Sequence, residues 1–234
     1  MTAWTRALAT AVACALACLI APPAAAQVYI GRDVPRTGSF EVSGGVVWSP
    51  GFDLGTQTAE LTRNPGTGTS GFELFTSETR TAGAAGVQAR VSFYLTRAFA
   101  IEGGLQYAQP VLSSSLTSDA EQADDAVVKE TIARYVFEGS AVLHFTNASF
   151  AGGKGVPFVT AGGGYIRELH EGDGVVETGN EFHAGAGVKY WFTQGRRRLG
   201  LRADVGASLR SGGIDFSDSR RTIPTVGLSI AYLF

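Results

Sequence analysis

The nine residues Val226-Gly-Leu-Ser-Ile-Ala-Tyr-Leu-Phe234 decide the fold. Val226, Leu228, Ile230, Tyr232 and Phe234 fall on one face and Gly227, Ser229 and Ala231 on the other, the period-two signature of a strand with one lipid-like side. A soluble protein that ended on such a strand would expose an apolar edge to aggregation. A closed barrel gives every strand two neighbours and removes that edge.

The amino terminus has the opposite character. Arg6 is the only charge among residues 1–26, Ala7 to Ala21 form an apolar run, and Ala24-Ala25-Ala26 supplies a small-residue cleavage site before Gln27. This pattern predicts a cleaved secretory signal peptide over 1–26. The run is shorter than the roughly 20 residues of a spanning helix and is broken by Pro22-Pro23. Both cysteines, Cys14 and Cys18, lie inside it. A lipidated Cys18 is the weaker alternative, because an apolar run rather than a polar tether follows it. With the signal removed, disulfides, thiolate metal sites and cysteine nucleophiles are excluded.

Cleavage removes one of 19 basic residues and none of 21 acidic ones, so the expected mature charge is 18 − 21 = −3. The longest basic run is Arg196-Arg197-Arg198, so nucleic acid is not an expected partner. No second segment approaches a transmembrane helix. A mature protein that enters a membrane must do so as a barrel.

Seven further segments alternate like the last one. They are Phe40 to Trp48, 84 to 95, 99 to 109, 131 to 145, 156 to 168, 181 to 192 and 199 to 210. They run from 9 to 15 residues, enough for the roughly 9 to 11 tilted residues that cross a bilayer. The phase is least certain in 156 to 168, where the Tyr165 face is assigned outward. Connections alternate between long (50–83, 110–130, 169–180, 211–221) and short (96–98, 147–155, 194–198). Short turns belong to the periplasmic rim, so both termini are expected there. Aromatics cluster at the two ends, with Phe40, Phe93, Phe99, Phe145, Phe192 and Phe234 on the short-turn side. Trp48, Tyr107, Tyr135, Tyr165 and Phe182 stand on the other. The expected organisation is a signal peptide over 1–26, a short periplasmic segment over 27–38 and an all-β, eight-stranded antiparallel up-and-down transmembrane barrel over 39–234.

These features together resemble the small outer-membrane barrels of Gram-negative bacteria, namely the OmpA-type membrane domain, the opacity proteins and the OmpW-like proteins. The resemblance implies that Ile230, Tyr232 and Phe234 form the signal read by the barrel-assembly machinery. That machinery and periplasmic chaperones would then be transient partners, with outer-membrane lipid and lipopolysaccharide as the lasting environment and a monomer as the expected state. No peptidoglycan-binding domain is expected after the last strand, so the anchoring role of the full OmpA pattern is not expected to carry over.

The alternation places Glu41, Glu102, Glu138 and Asp204 inside the barrel with Arg90, Arg134, Lys189, Arg202 and Arg210. Buried charges must pair or be hydrated. The first expectation is a network that fills the lumen and fixes the register. The alternative is a narrow gated channel, porin-like, for ions, small or hydrophobic solutes. A soluble lipocalin-like binder would invert the pattern and put its large apolar residues inside.

No enzyme or cofactor is expected. His144-Phe-Thr-Asn-Ala148 faintly resembles the His-x-Ser-Asn-Ala stretch of lipid A deacylases, but Thr146 replaces the serine and His144 has an inward phase. His170 and His183 show no spacing suggestive of zinc, and His170 is expected at a solvated acidic tip beside Glu168, Glu171 and Asp173. Residues 113–125 are expected as a mobile loop, with divalent-cation binding as the sharper reading. Loop 50–83, with Phe52, Phe72 and Phe75, is the expected contact site for a ligand or a host surface. The sequence leaves the ligand, the receptor and the conductance of the lumen open.

Overall fold

The computed structural model describes residues 35–61, 72–117, 126–170, 174–193, 197–214 and 220–234. The expected signal peptide and most of the segment 27–38 lie outside these residues. Eleven strands are present among them: β1 (Phe40–Ser49), β2 (Phe52–Leu61), β3 (Phe72–Thr81), β4 (Ala84–Tyr94), β5 (Phe99–Ala108), β6 (Val111–Thr117), β7 (Ala126–His144), β8 (Gly155–His170), β9 (Val176–Trp191), β10 (Arg198–Gly212) and β11 (Arg221–Leu233).

Eight of them close into an antiparallel barrel in the order β1-β4-β5-β7-β8-β9-β10-β11, with β11 pairing back onto β1. The closing seam runs from Glu41↔Leu233 to Trp48↔Val226. Every barrel strand keeps the expected phase. Val42, Val46, Val87, Val91, Ile101, Leu105, Phe137, Val205, Leu228 and Ile230 point outward and are exposed, while their sequence neighbours turn in. In β8 the Tyr165 face is outward and Phe158 and Ile166 are buried inside. Ring pairs Phe40–Phe93 (4.8 Å between centroids) and Tyr232–Phe234 (4.8 Å) stand at the end carrying the short turns, and Tyr107–Tyr135 (4.9 Å) toward the other.

The short turns are held locally. Thr96 Oγ1 accepts from the amides of Ala98 (3.2 Å) and Phe99 (2.9 Å), closing the β4–β5 turn. A 3-10 turn at Thr146–Ala148 and two left-handed glycines, Gly152 (φ 67°) and Gly153 (φ 84°), carry the chain from β7 to β8.

The long connections differ from the expectation. Residues 50–83 contain the hairpin β2–β3, and β3 pairs with β6, which pairs with the first residues of β7. The result is a second sheet, β2-β3-β6-β7, standing on the loop end of the barrel. Ser113–Thr117, expected in a mobile loop, lie in β6; 118–125 are outside the described residues. At 19 residues β7 serves both sheets: Val111↔Thr131 is its last pair with β6, and Ile132↔His170 its first with β8. Likewise β8 reaches His170 and β11 begins at Arg221, so the barrel wall extends beyond the apolar segments visible in the sequence.

Gly45 marks the tightest approach at the seam. A Cβ there would lie 2.0 Å from the Leu228 carbonyl oxygen, a backbone atom that cannot turn aside. Gly45→Ala is expected to destabilise the barrel by about 1–3 kcal/mol, the range for forcing atoms into a packed interior, measured as a lower urea midpoint of the refolded protein. An unchanged midpoint would contradict the register at the β1–β11 seam.

Candidate functional site

The lumen has three layers. At the short-turn end, Tyr94, Ala100, Val142, Val156, Phe158, Trp191, Ala231 and Leu233 form one buried apolar cluster. These residues come from β4, β5, β7, β8, β9 and β11 and meet across the interior, so they plug it. At the loop end a second cluster joins Leu54 of β2, Leu112 of β6 and Ile132 of β7, with Phe52 and Ile214 packed against it. The carbonyls of Asp53 and Leu54 accept from Arg221 Nη1 (2.7 Å) and Nη2 (2.8 Å). Arg221 is on β11, directly opposite β7 in the ring of eight, so β2 crosses the mouth. A register shift between Asp53 and Gly55, where Gly55 takes φ 121°, bends β2 into this position.

Between the two apolar layers lies a charged belt. All nine charges named from the alternation turn inward. Lowest is Lys189, whose Nζ donates to Glu41 Oε2 (2.7 Å) and to Tyr94 Oη (3.1 Å), while Tyr94 donates to Glu41 at 2.5 Å. Above it Arg202 donates to Glu102 (2.6 Å) and Asp204 (3.0 Å), with its guanidinium 4.7 Å from the Phe158 ring centroid. Ser92 donates to the same Glu102 oxygen at 2.6 Å. Arg90 sits among three acids, 3.5 Å from Glu102, 3.7 Å from Asp204 and 4.0 Å from Glu138. Arg210 donates to Glu181 at 3.0 Å, and Arg134 to Glu168.

Glu168 and Glu181 were not singled out from the sequence. Glu181 shares the inward phase of His183, which was the available signal. Glu168 does not stand at a solvated tip beside His170: it is buried in the lumen, where it also accepts from the Ile214 amide at 2.9 Å. His170 ends β8 with Nδ1 3.0 Å from Glu130, and Nε2 4.0 Å from Glu177. Burial raises the Glu177 pKa above the ordinary carboxylate value, His170 opposes the shift and Glu168 adds to it. Glu171 and Asp173 lie outside the described residues. His144 is buried in the lumen with Nε2 3.4 Å from Tyr94 Oη, so it does not reach the outer wall where a deacylase would need it.

The belt is not filled. A cavity of about 40 Å³ lies among Arg90, Glu102, Glu138, Glu181, His183 and Arg202. Ile230 on β11 and Phe234, the residue after its last, are exposed, and Tyr232 stacks edge-on against Phe234.

The closed antiparallel barrel is a fold shared with solved outer-membrane proteins. The chain aligns with OprG of Pseudomonas aeruginosa over 86% of its own length and 98% of that chain, at a TM-score of 0.53 and 8% identity. Its fold is that of the small outer-membrane barrels. Ail of Yersinia pestis aligns at 12% identity over 84% of this chain and 99% of that one, with a TM-score of 0.44. The amino-terminal barrel domain of P. aeruginosa OprF aligns at 14% identity over 85% and 98%, with a TM-score of 0.42. No protein-family model matches the sequence, and no curated protein matches it.

The belt sets a stability requirement. Glu41→Ala leaves the Lys189 ammonium buried without its carboxylate and is expected to cost about 3–5 kcal/mol. Glu41→Leu combined with Lys189→Met, which removes both charges, is expected to recover most of that loss. Urea unfolding of the refolded single and double variants measures both, and equal losses in the two would contradict the pairing.

Proposed function

We propose that this protein spans the outer membrane as a closed barrel and acts through its outer sheet and loops, in a structural or surface-interacting role without catalysis. The observation that carries the reading is a buried apolar cluster at each end of the charged belt, inside a wall whose outward band is apolar. A wall of that kind is stable only in hydrocarbon, and a solute crossing the interior would have to pass both apolar clusters and the ion pairs between them. Short turns and both strand ends Phe40 and Phe234 then face the periplasm, and the β2-β3-β6-β7 sheet faces outward from the cell. That sheet turns long connections into a paired surface on which Val127 and Val128 stand exposed. Lipopolysaccharide would surround the barrel, and Ile230, Tyr232 and Phe234 suit the alternate apolar pattern of an assembly signal for the barrel-assembly machinery and its chaperones. The chain would act as a monomer.

The polar belt and its cavity support a second reading, a narrow gated channel. In that reading β2 is the gate, and Arg221 its latch.

Two measurements test the pair. Leu228→Arg places a charge on the outward band and is expected to cost about 2–4 kcal/mol of stability in bilayers; a neutral effect would argue against a lipid-facing wall. In planar bilayers the wild type is expected to be silent, as is Arg90→Ala. Discrete openings in the wild type that change with Arg90→Ala or appear with Arg221→Ala would replace the structural reading with the channel.

A further inference from the structure

The cavity in the belt is walled by two rows of inward residues that cross neighbouring strands. One row is Glu138 on β7, Gly164 on β8, Glu181 on β9 and Arg210 on β10. The other is Ser140, Gly162, His183 and Ser208 on the same four strands. The β8 member of each row is glycine. A Cβ at Gly164 would stand 2.9 Å from the Phe137 carbonyl oxygen, 3.2 Å from Glu181 Cγ and 3.5 Å from Glu138 Cγ, so glycine lets β8 lie close to β7 and leaves room for side chains of β7 and β9 to meet across it. Ser140 Oγ and His183 Nε2 touch in this way at 2.8 Å.

Three ligand atoms converge there: one from each of Glu138, Glu181 and His183, all within 4.8 Å of one another. Each side chain is anchored through its other polar atom. Glu181 Oε2 accepts from Arg210 at 3.0 Å, Glu138 Oε1 accepts from Gln106 Nε2, and His183 Nε2 is engaged by Ser140. The remaining polar atoms are Glu181 Oε1, Glu138 Oε2 and His183 Nδ1, with His183 Nδ1 3.8 Å from Glu181 Oε1 and Glu138 Oε2 4.0 Å from Arg90 Nη2. This outer arrangement, in which the second ring nitrogen of a histidine is fixed by a hydrogen bond, is how metal-binding imidazoles are oriented.

Two further observations point to a ligand in that space. The Ser208 hydroxyl, beside His183 in the row, belongs to a residue only 3% exposed, lines the cavity and has no hydrogen-bond partner among the described residues; His183 Nδ1 also has none. The charges lining the cavity do not balance either: Glu102, Glu138, Glu181 and Asp204 face Arg90, Arg202 and Arg210, leaving one negative charge over.

We propose that the lumen of this barrel binds one divalent transition-metal ion, ligated by Glu138, Glu181 and His183 and completed by water or the Ser208 hydroxyl. The cavity of about 40 Å³ has room for an ion with one or two waters, since a single water needs roughly 10–15 Å³ on this measure. One imidazole nitrogen and two carboxylates suit zinc, manganese or iron better than calcium, which asks for six to eight oxygens. Ligand atoms of a tetrahedral zinc site lie about 3.3 Å apart, so the three groups must close by about 1.5 Å at most, within the reach of side-chain rotation. The metal would staple β7 to β9 across β8. Because a buried apolar cluster lies at each end of the belt, it would enter most readily during folding and leave slowly.

The test uses the full mature chain, refolded in detergent with and without Zn²⁺ or Co²⁺ after chelator treatment, with heat-modifiable gel migration to verify the barrel. One metal per folded chain is expected by elemental analysis after desalting. The cobalt form should show visible absorption bands of a low-coordinate site. His183→Gln and Glu138→Gln should lower retention at least tenfold, Ser140→Ala should weaken it less, and His170→Ala, which alters the histidine outside the barrel belt, should leave it unchanged. A folded wild type that retains no metal would overturn the proposal, as would retention that His183→Gln leaves intact or that His170→Ala abolishes. Should the two belt variants fail to fold, the wild-type stoichiometry with Ser140→Ala and His170→Ala decides the matter by the same comparison.

Discussion

Closing eight strands into a ring leaves an interior about one side chain wide, and everything else in this molecule answers to that limit. A charge placed inward cannot reach bulk water, so it must find its opposite across the lumen or distort the wall. Lys189 meets Glu41 and Tyr94, Arg202 meets Glu102 and Asp204, and Arg210 meets Glu181, in each case joining different strands or bracing one against another. These contacts fix which residues face each other. A slip of one residue in any strand would turn its charges outward and its valines inward.

The apolar caps follow from the same narrowness. Trp191, Phe158 and Tyr94 are wide enough to meet in the middle at one end, while at the other the barrel wall alone does not close and β2 is drawn across. Exclusion of water strengthens the ion pairs and raises the cost of breaking them. Separating one buried pair costs about 3–5 kcal/mol, and each 1.4 kcal/mol is about tenfold in population. A conducting state that broke even one pair would be populated below about one per cent.

The wall was legible in the sequence because period-two alternation is set by the backbone itself: Phe40 to Trp48 and Val226 to Phe234 show it without help from the rest of the chain. The inward positions of Glu41, Arg90 and Lys189 come with that phase. The outer sheet was not legible. Strands β2, β3 and β6 are rich in Thr, Ser and Gly and both of their faces meet water over much of their length, so no apolar period marks them; their pairing is decided by β7 continuing past the wall. Glu168 was misplaced for another reason: it closes the segment 156–168 on the inward phase, but its neighbours His170, Glu171 and Asp173 made it read as part of a solvated tip.

The meeting of Glu138, Glu181 and His183 belongs to a third kind of information. Glu138 and Glu181 are 43 positions apart and sit on strands that do not touch, so neither spacing nor phase joins them. Two registers, β7 on β8 and β8 on β9, must both be known before the rows align. The run Gly162-Gly163-Gly164 then acquires a purpose that composition could not reveal. A Cβ at 162 or 164 would first strike the β7 backbone, 2.1 Å from the Gly139 carbonyl oxygen and 2.9 Å from that of Phe137, so the close approach of β8 to β7 itself requires glycine at both positions. The same absence of side chains leaves the two acids and the imidazole facing one small space across β8.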